Sequence, residues 1–187
     1  LPLLRALAEI TMKSFIIFGR DNGQYAYDKS AACRCMECGI IDREKSSRLP
    51  LSEIMYDFSS TYDNELVISE RVFLELVKYV DESNFEKSGK YYYVFPKVKV
   101  EFDSAIRKTK FGPKCSLCGN NSYVIGVSPA YLKRKLSKSG LYATDLKFGD
   151  TADEGSNLTP GIILSEDLLG EILSLKVSGL SYEQANS

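Results

Sequence analysis

The chain has 187 residues, 44% hydrophobic and 26% charged, which is enough apolar material for one domain with a real core. Its 24 basic and 25 acidic residues leave a formal net charge of -1, without the overall basic excess of a general nucleic-acid binder. Histidine is absent, which removes imidazole bases, Ser-His and Cys-His pairs and histidine metal ligands, and no apolar run reaches the roughly 18 residues of a membrane-spanning helix.

Residues 1–12 are leucine-rich but broken by Arg5 and Glu9, and do not read as a secretory leader. They are expected to be a short amphipathic extension or a vector remnant, with Met12-Lys13 as a natural start. Residues 13–187 then form a single α+β domain. Ser14–Arg20 predicts the first strand, and Asp21-Asn22-Gly23 a turn that returns Gln24–Tyr27 as a paired strand. Asp42–Leu49 reads as loop and Ser52–Tyr56 as a short strand or turn. Leu66–Ser69 predicts a strand entering a helix at Glu70. The Ser69 hydroxyl is expected to accept a first-turn N–H, and Glu70 suits the positive helix end. Val72, Phe73, Leu76, Val77 and Val80 supply its apolar stripe.

Tyr91–Val94 and Val98–Phe102 predict strands separated at Pro96. The tyrosine run would put rings on both faces, covering the core with one tyrosine outward; stacking on bases is the alternative. Arg107, Lys108, Lys110 and Lys114 form a basic stretch. Ser122–Val127 predicts a strand, and Pro129–Lys138 a helix carrying Lys133, Arg134, Lys135 and Lys138. Solvated faces explain both basic groups as well as nucleic acid does. Phe148–Pro160 reads as an acidic loop. A second strand-to-helix step follows at Ile162-Ile163-Leu164-Ser165-Glu166. Its stripe is Leu168, Leu169, Ile172, Leu173 and Leu175, with Gly179 as terminator. Ser69, Glu70 and Glu75 match Ser165, Glu166 and Glu171, and the units close on Phe85-Glu86 and Tyr182-Glu183. This pattern predicts a weak internal duplication, with units of about 24–87 and 91–184; chance likeness of two capped helices is the alternative.

The five cysteines are Cys33, Cys35, Cys38, Cys115 and Cys118. Four fall into matched units, Cys35-Met36-Glu37-Cys38-Gly39 and Cys115-Ser116-Leu117-Cys118-Gly119. Two intervening residues let both thiolates turn to one point, and the glycine tolerates the left-handed or crowded backbone that closes such a knuckle. Two knuckles predict one four-cysteine zinc site joining distant regions, with redox pairs, disulfides, free thiols and an iron–sulfur cluster as the competing readings. Four thiolates fill the tetrahedron, so the ion is expected to be structural and to couple to folding. Cys33 is expected to be an ordinary, partly buried thiol.

These motifs, in this order, resemble the double-CxxCG family of bacterial immunity proteins of polymorphic toxin systems. The likeness rests on Cys35–Gly39, Cys115–Gly119, Ser69-Glu70, Ser165-Glu166 and the closing Gly179-Leu180-Ser181-Tyr182-Glu183. It spans most of residues 14–182, and the extra Cys33 departs from it. The resemblance implies a non-catalytic protein that binds and neutralises a cognate protein toxin in the cytoplasm, where thiols stay reduced. The Phe148–Pro160 loop and Tyr91–Tyr93 are the candidate contact regions. The acidic loop would act as a nucleic-acid mimic if the toxin is a nuclease. A zinc-ribbon-like nucleic-acid-binding or regulatory protein is the alternative, using Lys108, Lys110, Lys114, Arg134 and Lys135 beside Tyr123. An enzyme is disfavoured by the missing histidines and the filled metal shell, and no membrane contact is expected.

Overall fold

The computed structural model describes residues 12–30, 32–152 and 157–187, so the reading of residues 1–11 and part of the acidic loop lie outside it. The architecture is mixed α+β. The central strand β1 (Ser14–Asp21) is apolar on both faces: Ile16 points to one side and Ile17 to the other, and both are buried. Such double burial accounts for its continuous apolar run.

Four further elements build one wing of the sheet. They are β2 (Phe58–Ser60), β3 (Leu66–Ser69), β4 (Phe85–Ser88) and β5 (Tyr91–Val94), in spatial order β4-β5-β3-β2-β1. On the other side β1 pairs antiparallel with β10 (Thr159–Ser165), which pairs with β9 (Leu141–Asp150). Beyond lie β8 (Tyr123–Ile125) and β7 (Lys110–Phe111). The two-residue β6 (Lys99–Val100) runs parallel to β9, and β11 (Leu180–Ala185) pairs antiparallel with β1.

Helices α1 (Glu70–Leu76) and α3 (Glu166–Ser174) lie on one face of this sheet. Val72, Phe73 and Leu76 of α1 share a single core with Leu168, Leu169 and Ile172 of α3, over Ile17, Ile68, Tyr92, Ile162 and Leu164. Leu173, expected in the stripe, is 40% exposed instead. Phe73 stacks on Tyr92 with ring centroids 3.7 Å apart. On the opposite face the alternate residues Ile16 and Ile163 join Phe102, Val124 and Phe148, while Val67 and Tyr93 join Tyr27 and Ile41. Tyr92 and Tyr93 are thus buried on opposite faces, and Tyr91 is half-buried with its hydroxyl on the Ile54 backbone.

Several local expectations are corrected. Ser69 and Ser165 occupy the helix N-cap positions with nearly identical backbone angles, but neither hydroxyl caps its helix. Ser69 donates to Asp57 at 2.9 Å, and Ser165 accepts from the Gly140 N–H at 2.9 Å. Neighbouring segments compete for these hydroxyls and win. Asp21-Asn22-Gly23 does turn, through side-chain acceptance of the Gly23 and Gln24 N–H groups. Gln24–Tyr27 does not return as a strand, because the partners of β1 are β2, β10 and β11. Ser52–Tyr56 forms no strand, and Val98–Phe102 narrows to Lys99–Val100.

Pro129–Lys138 is not helical. Its backbone alternates isolated bridges with bends and is bonded to distant segments: Leu132 N–H to Asn186, Asn186 N–H to Ala130, and Lys133 N–H to Glu101. The small helix is instead α2 (Ser104–Arg107), where the Asp103 carboxylate accepts the Ile106 N–H. The predicted Phe148–Pro160 loop is shorter, since β9 runs to Asp150 and β10 starts at Thr159.

Candidate metal centre

Both knuckles have the same backbone construction. In the first, the Cys35 N–H donates to Ile40, the Gly39 N–H donates to Cys35, and Arg34 pairs with Ile41 across the turn. In the second, the Cys115 N–H donates to Asn120, the Gly119 N–H donates to Cys115, and Lys114 pairs with Asn121. Gly39 and Gly119 have φ of +73° and +71°, and no atom lies within 4 Å of where a Cβ would stand. Left-handed backbone, not crowding, is therefore what asks for glycine.

The sheet face opposite the helices brings the two turns together. Ile40 and Ile41, directly after the first knuckle, are buried in the two cores on that face. The following Arg43 is fixed by the buried Glu65 carboxylate, which also accepts the Tyr27 hydroxyl at 2.9 Å. Asp63 accepts the Ala26 and Tyr27 N–H groups. The second knuckle hangs from β7 and β8, and β8 is joined to β9 through Val124 and Gly149.

Cys35, Cys38, Cys115 and Cys118 converge with all four sulfurs within 4.8 Å of one another. Two close separations cross between knuckles: 3.6 Å from Cys35 to Cys115 and 3.4 Å from Cys38 to Cys118. A tetrahedral thiolate shell with bonds of about 2.3 Å has sulfur–sulfur edges of about 3.8 Å, so the donor set fits one such cation. Cys33 stands outside the cluster. Contrary to the expected partial burial it is exposed, and its backbone N–H donates to the Ser46 hydroxyl.

The touching sulfurs titrate in opposite directions. Burial and the neighbouring thiols push Cys38 up to about 12. Burial also acts to raise Cys118, but the Asn120 backbone and side-chain amides and the adjacent thiols outweigh it, drawing Cys118 down to about 6. Like charges at these separations oppose one another, and a cation among the four would favour the thiolate at each.

A residue with no expected role links the turns. Glu37, inside the first knuckle, accepts from the Ser116 hydroxyl at 2.7 Å and from the Leu117 N–H at 3.0 Å. The only signal for it was an acid between two cysteines. The basic residues of the alternative reading lie on two different segments of chain. Lys110 and Lys114 border the second knuckle on β7 and its continuation, while Arg134 and Lys135 belong to the segment tied to Glu101 and Met12.

The fold and cluster together define a mixed α+β protein with a four-cysteine site able to hold a metal. No protein-family model matches the chain, and neither does any curated protein. Among the described residues, no helix is long and apolar enough to cross a membrane.

Proposed function

We propose that the chain is a non-catalytic binding protein holding one structural zinc ion at Cys35, Cys38, Cys115 and Cys118, and that it neutralises a cognate protein toxin as a double-CxxCG immunity protein. The observation that carries the reading is the convergence of four sulfurs from two congruent CxxCG turns. Four thiolates complete a tetrahedral zinc shell, leaving no position for water or substrate. A closed shell suits a clamp between distant segments rather than a reaction centre.

The immunity role rests on the motif resemblance. Its ordered signals are both CxxCG turns and both serine–glutamate strand-to-helix steps, and the two helices so begun share one core. The internal duplication belongs to the same reading. It is supported by the matched order of strand, serine, helix and strand, and by closing aromatics Phe85 and Tyr182 that each meet a phenylalanine of the sheet-and-helix core, Phe73 and Phe15. Co-expression with the toxin encoded beside its gene is the test. The expected result is rescue of growth and a complex that co-purifies. Absence of any complex or protection would sink the immunity role, and elemental analysis without stoichiometric zinc would sink the metal.

A further inference from the structure

A cleft of about 1000 Å³ opens beside the metal centre, sharing Cys35 and Cys118 with it. Its walls are the two knuckles, the crossover from β5 to β6, and β9. Some of its cations are already committed. Arg43 is held by Glu65, Arg48 by Glu86 and Lys45 by Asp42. Four are not in any ion pair among the described residues: Arg34, Lys97, Lys99 and Lys147. The Arg34 Nη1 donates to the Gly39 carbonyl at 3.2 Å, while its Nε is buried with no hydrogen-bond partner among those residues. Against these four stand Glu44 and Asp145 as lining acids outside ion pairs, and Asp145 accepts the Phe102 N–H. Unpaired cations therefore outnumber unpaired acids on the lining, and three of the four, Lys97, Lys99 and Lys147, lie on the β5-to-β6 crossover and β9 rather than on the knuckles, where a zinc ion with four thiolates would leave net negative charge. Lys147 is held below the usual lysine range by desolvation first, then by the positive charges of Arg43 and Lys99, against the opposing carboxylates of Glu44 and Asp42.

Apolar surface lies between the charges. Met36 and Leu117, at the tips of the knuckles, are 94% and 64% exposed, and Phe95 and Pro96 join them on the lining. The aromatic face is not free for a base. The Arg48 guanidinium sits 3.8 Å from the Phe95 ring centroid, and Arg43 lies 5.1 Å from it. Single-stranded nucleic acid is usually held by open stacking platforms, which this cleft lacks. Its volume is at the top of the range for small-molecule sites, and it opens to solvent.

We infer that this cleft binds an acidic, extended segment of a partner protein, with carboxylates on Lys97, Lys99, Lys147 and Arg34 and apolar side chains against Met36 and Leu117. Under the immunity reading that segment belongs to the toxin; the cleft's chemistry itself needs only an acidic polypeptide. Electrostatic complementarity of this kind sets encounter and register.

The test is panning of a displayed random-peptide library on the zinc-loaded protein, followed by fluorescence polarisation of the best peptide. The variants are Lys97→Glu/Lys147→Glu and, as a distant control, Lys138→Glu. Enrichment of acids interleaved with apolar residues is expected, with affinity lost at least tenfold in the double variant and kept in the control. Zinc content and melting temperature serve to show that both variants are folded. Selection without acidic bias, no selection at all, or equal binding by the double variant overturns the inference. So does tighter binding of a labelled oligothymidylate than of any acidic peptide. Peptide binding without toxin protection retains the cleft and rejects immunity. Toxin protection and complex formation unaffected by the double variant retain immunity and reject the cleft.

Discussion

Glu37 of the first knuckle accepts a 2.7 Å hydrogen bond from the Ser116 hydroxyl of the second, so the two turns are joined by a carboxylate as well as through their sulfurs. The same oxygen takes the Leu117 N–H. Groups that orient metal ligands from outside the coordination shell commonly change metal affinity by about 10–100-fold when removed. Glu37→Ala is expected to release zinc to a chromophoric chelator about tenfold more readily than the parent. Glu44→Ala, on the neighbouring loop, should not.

Cys35 and Cys115 are 80 positions apart in sequence, yet their sulfurs are 3.6 Å apart. A cation there closes a long stretch of chain, and its binding free energy becomes folding free energy. Chelation is expected to lower the melting temperature, with recovery on adding back one equivalent of zinc. Cys115→Ser should lose bound zinc and already melt near the chelated value, which calorimetry and elemental analysis would measure together.

Glu65 is buried and meets both Arg43 and the Tyr27 hydroxyl. Removing one partner of a buried pair leaves the other charge uncompensated, typically at about 3–5 kcal/mol. Glu65→Ala is expected to lose stability on that scale in urea unfolding. Replacing both members, as Arg43→Met/Glu65→Leu, should recover much of it.

Asp57 accepts from the Arg71 guanidinium, the Ser69 and Ser178 hydroxyls and the Ser178 N–H, while Arg71 also donates to the Leu175 carbonyl at the end of α3. Arg71 first, with the serine and backbone donors, holds the Asp57 carboxyl well below the usual carboxylate range. A depressed native pKa gives stability that is present above the unfolded value of about 4 and is lost as pH falls through the native one. Asp57→Asn is therefore expected to be less stable than the parent at pH 7. The gap should shrink progressively below about pH 4, as followed by urea midpoints across pH.

Gly19 and Gly170 should respond in opposite directions to alanine. A Cβ on Gly19 would stand 2.2 Å from the Ser59 carbonyl carbon, where β1 passes β2. Gly19→Ala must push these strands apart, and about 1–3 kcal/mol of destabilisation is expected, as for other overpacked sites. Gly170 lies in α3 with nothing within 4 Å of its Cβ position. Gly170→Ala should stabilise by about 0.5–1 kcal/mol, because alanine gives up less backbone entropy in a helix. Thermal melts of the two variants beside the parent give both signs.

Local signals were legible where one short segment carried the whole instruction. The CxxCG spacing dictated two glycine-closed turns, the apolar run Ser14–Arg20 a central strand, and the serine–glutamate steps the starts of α1 and α3. Other features depended on partners that no local window contains. β9 carries no clear local signal, because its core face is made by neighbours and its sequence mixes Asp145, Lys147 and Gly149 among apolar residues. Leu132 and Leu136 have helical spacing, but the backbone around them is bonded to Glu101, Met12 and Asn186. The serine–glutamate spacing marks the hydroxyls of Ser69 and Ser165 as caps, but Asp57 and Gly140 approach from elsewhere and engage them. By itself, then, the sequence determined the two sulfur turns and the order of strand and helix, since these follow from backbone preference and spacing within a few residues. Only the tertiary structure decided that the turns face each other, that Glu37 bridges them and that unpaired cations share a cleft. Those relations are distances between distant segments, set by which faces of one sheet are buried together.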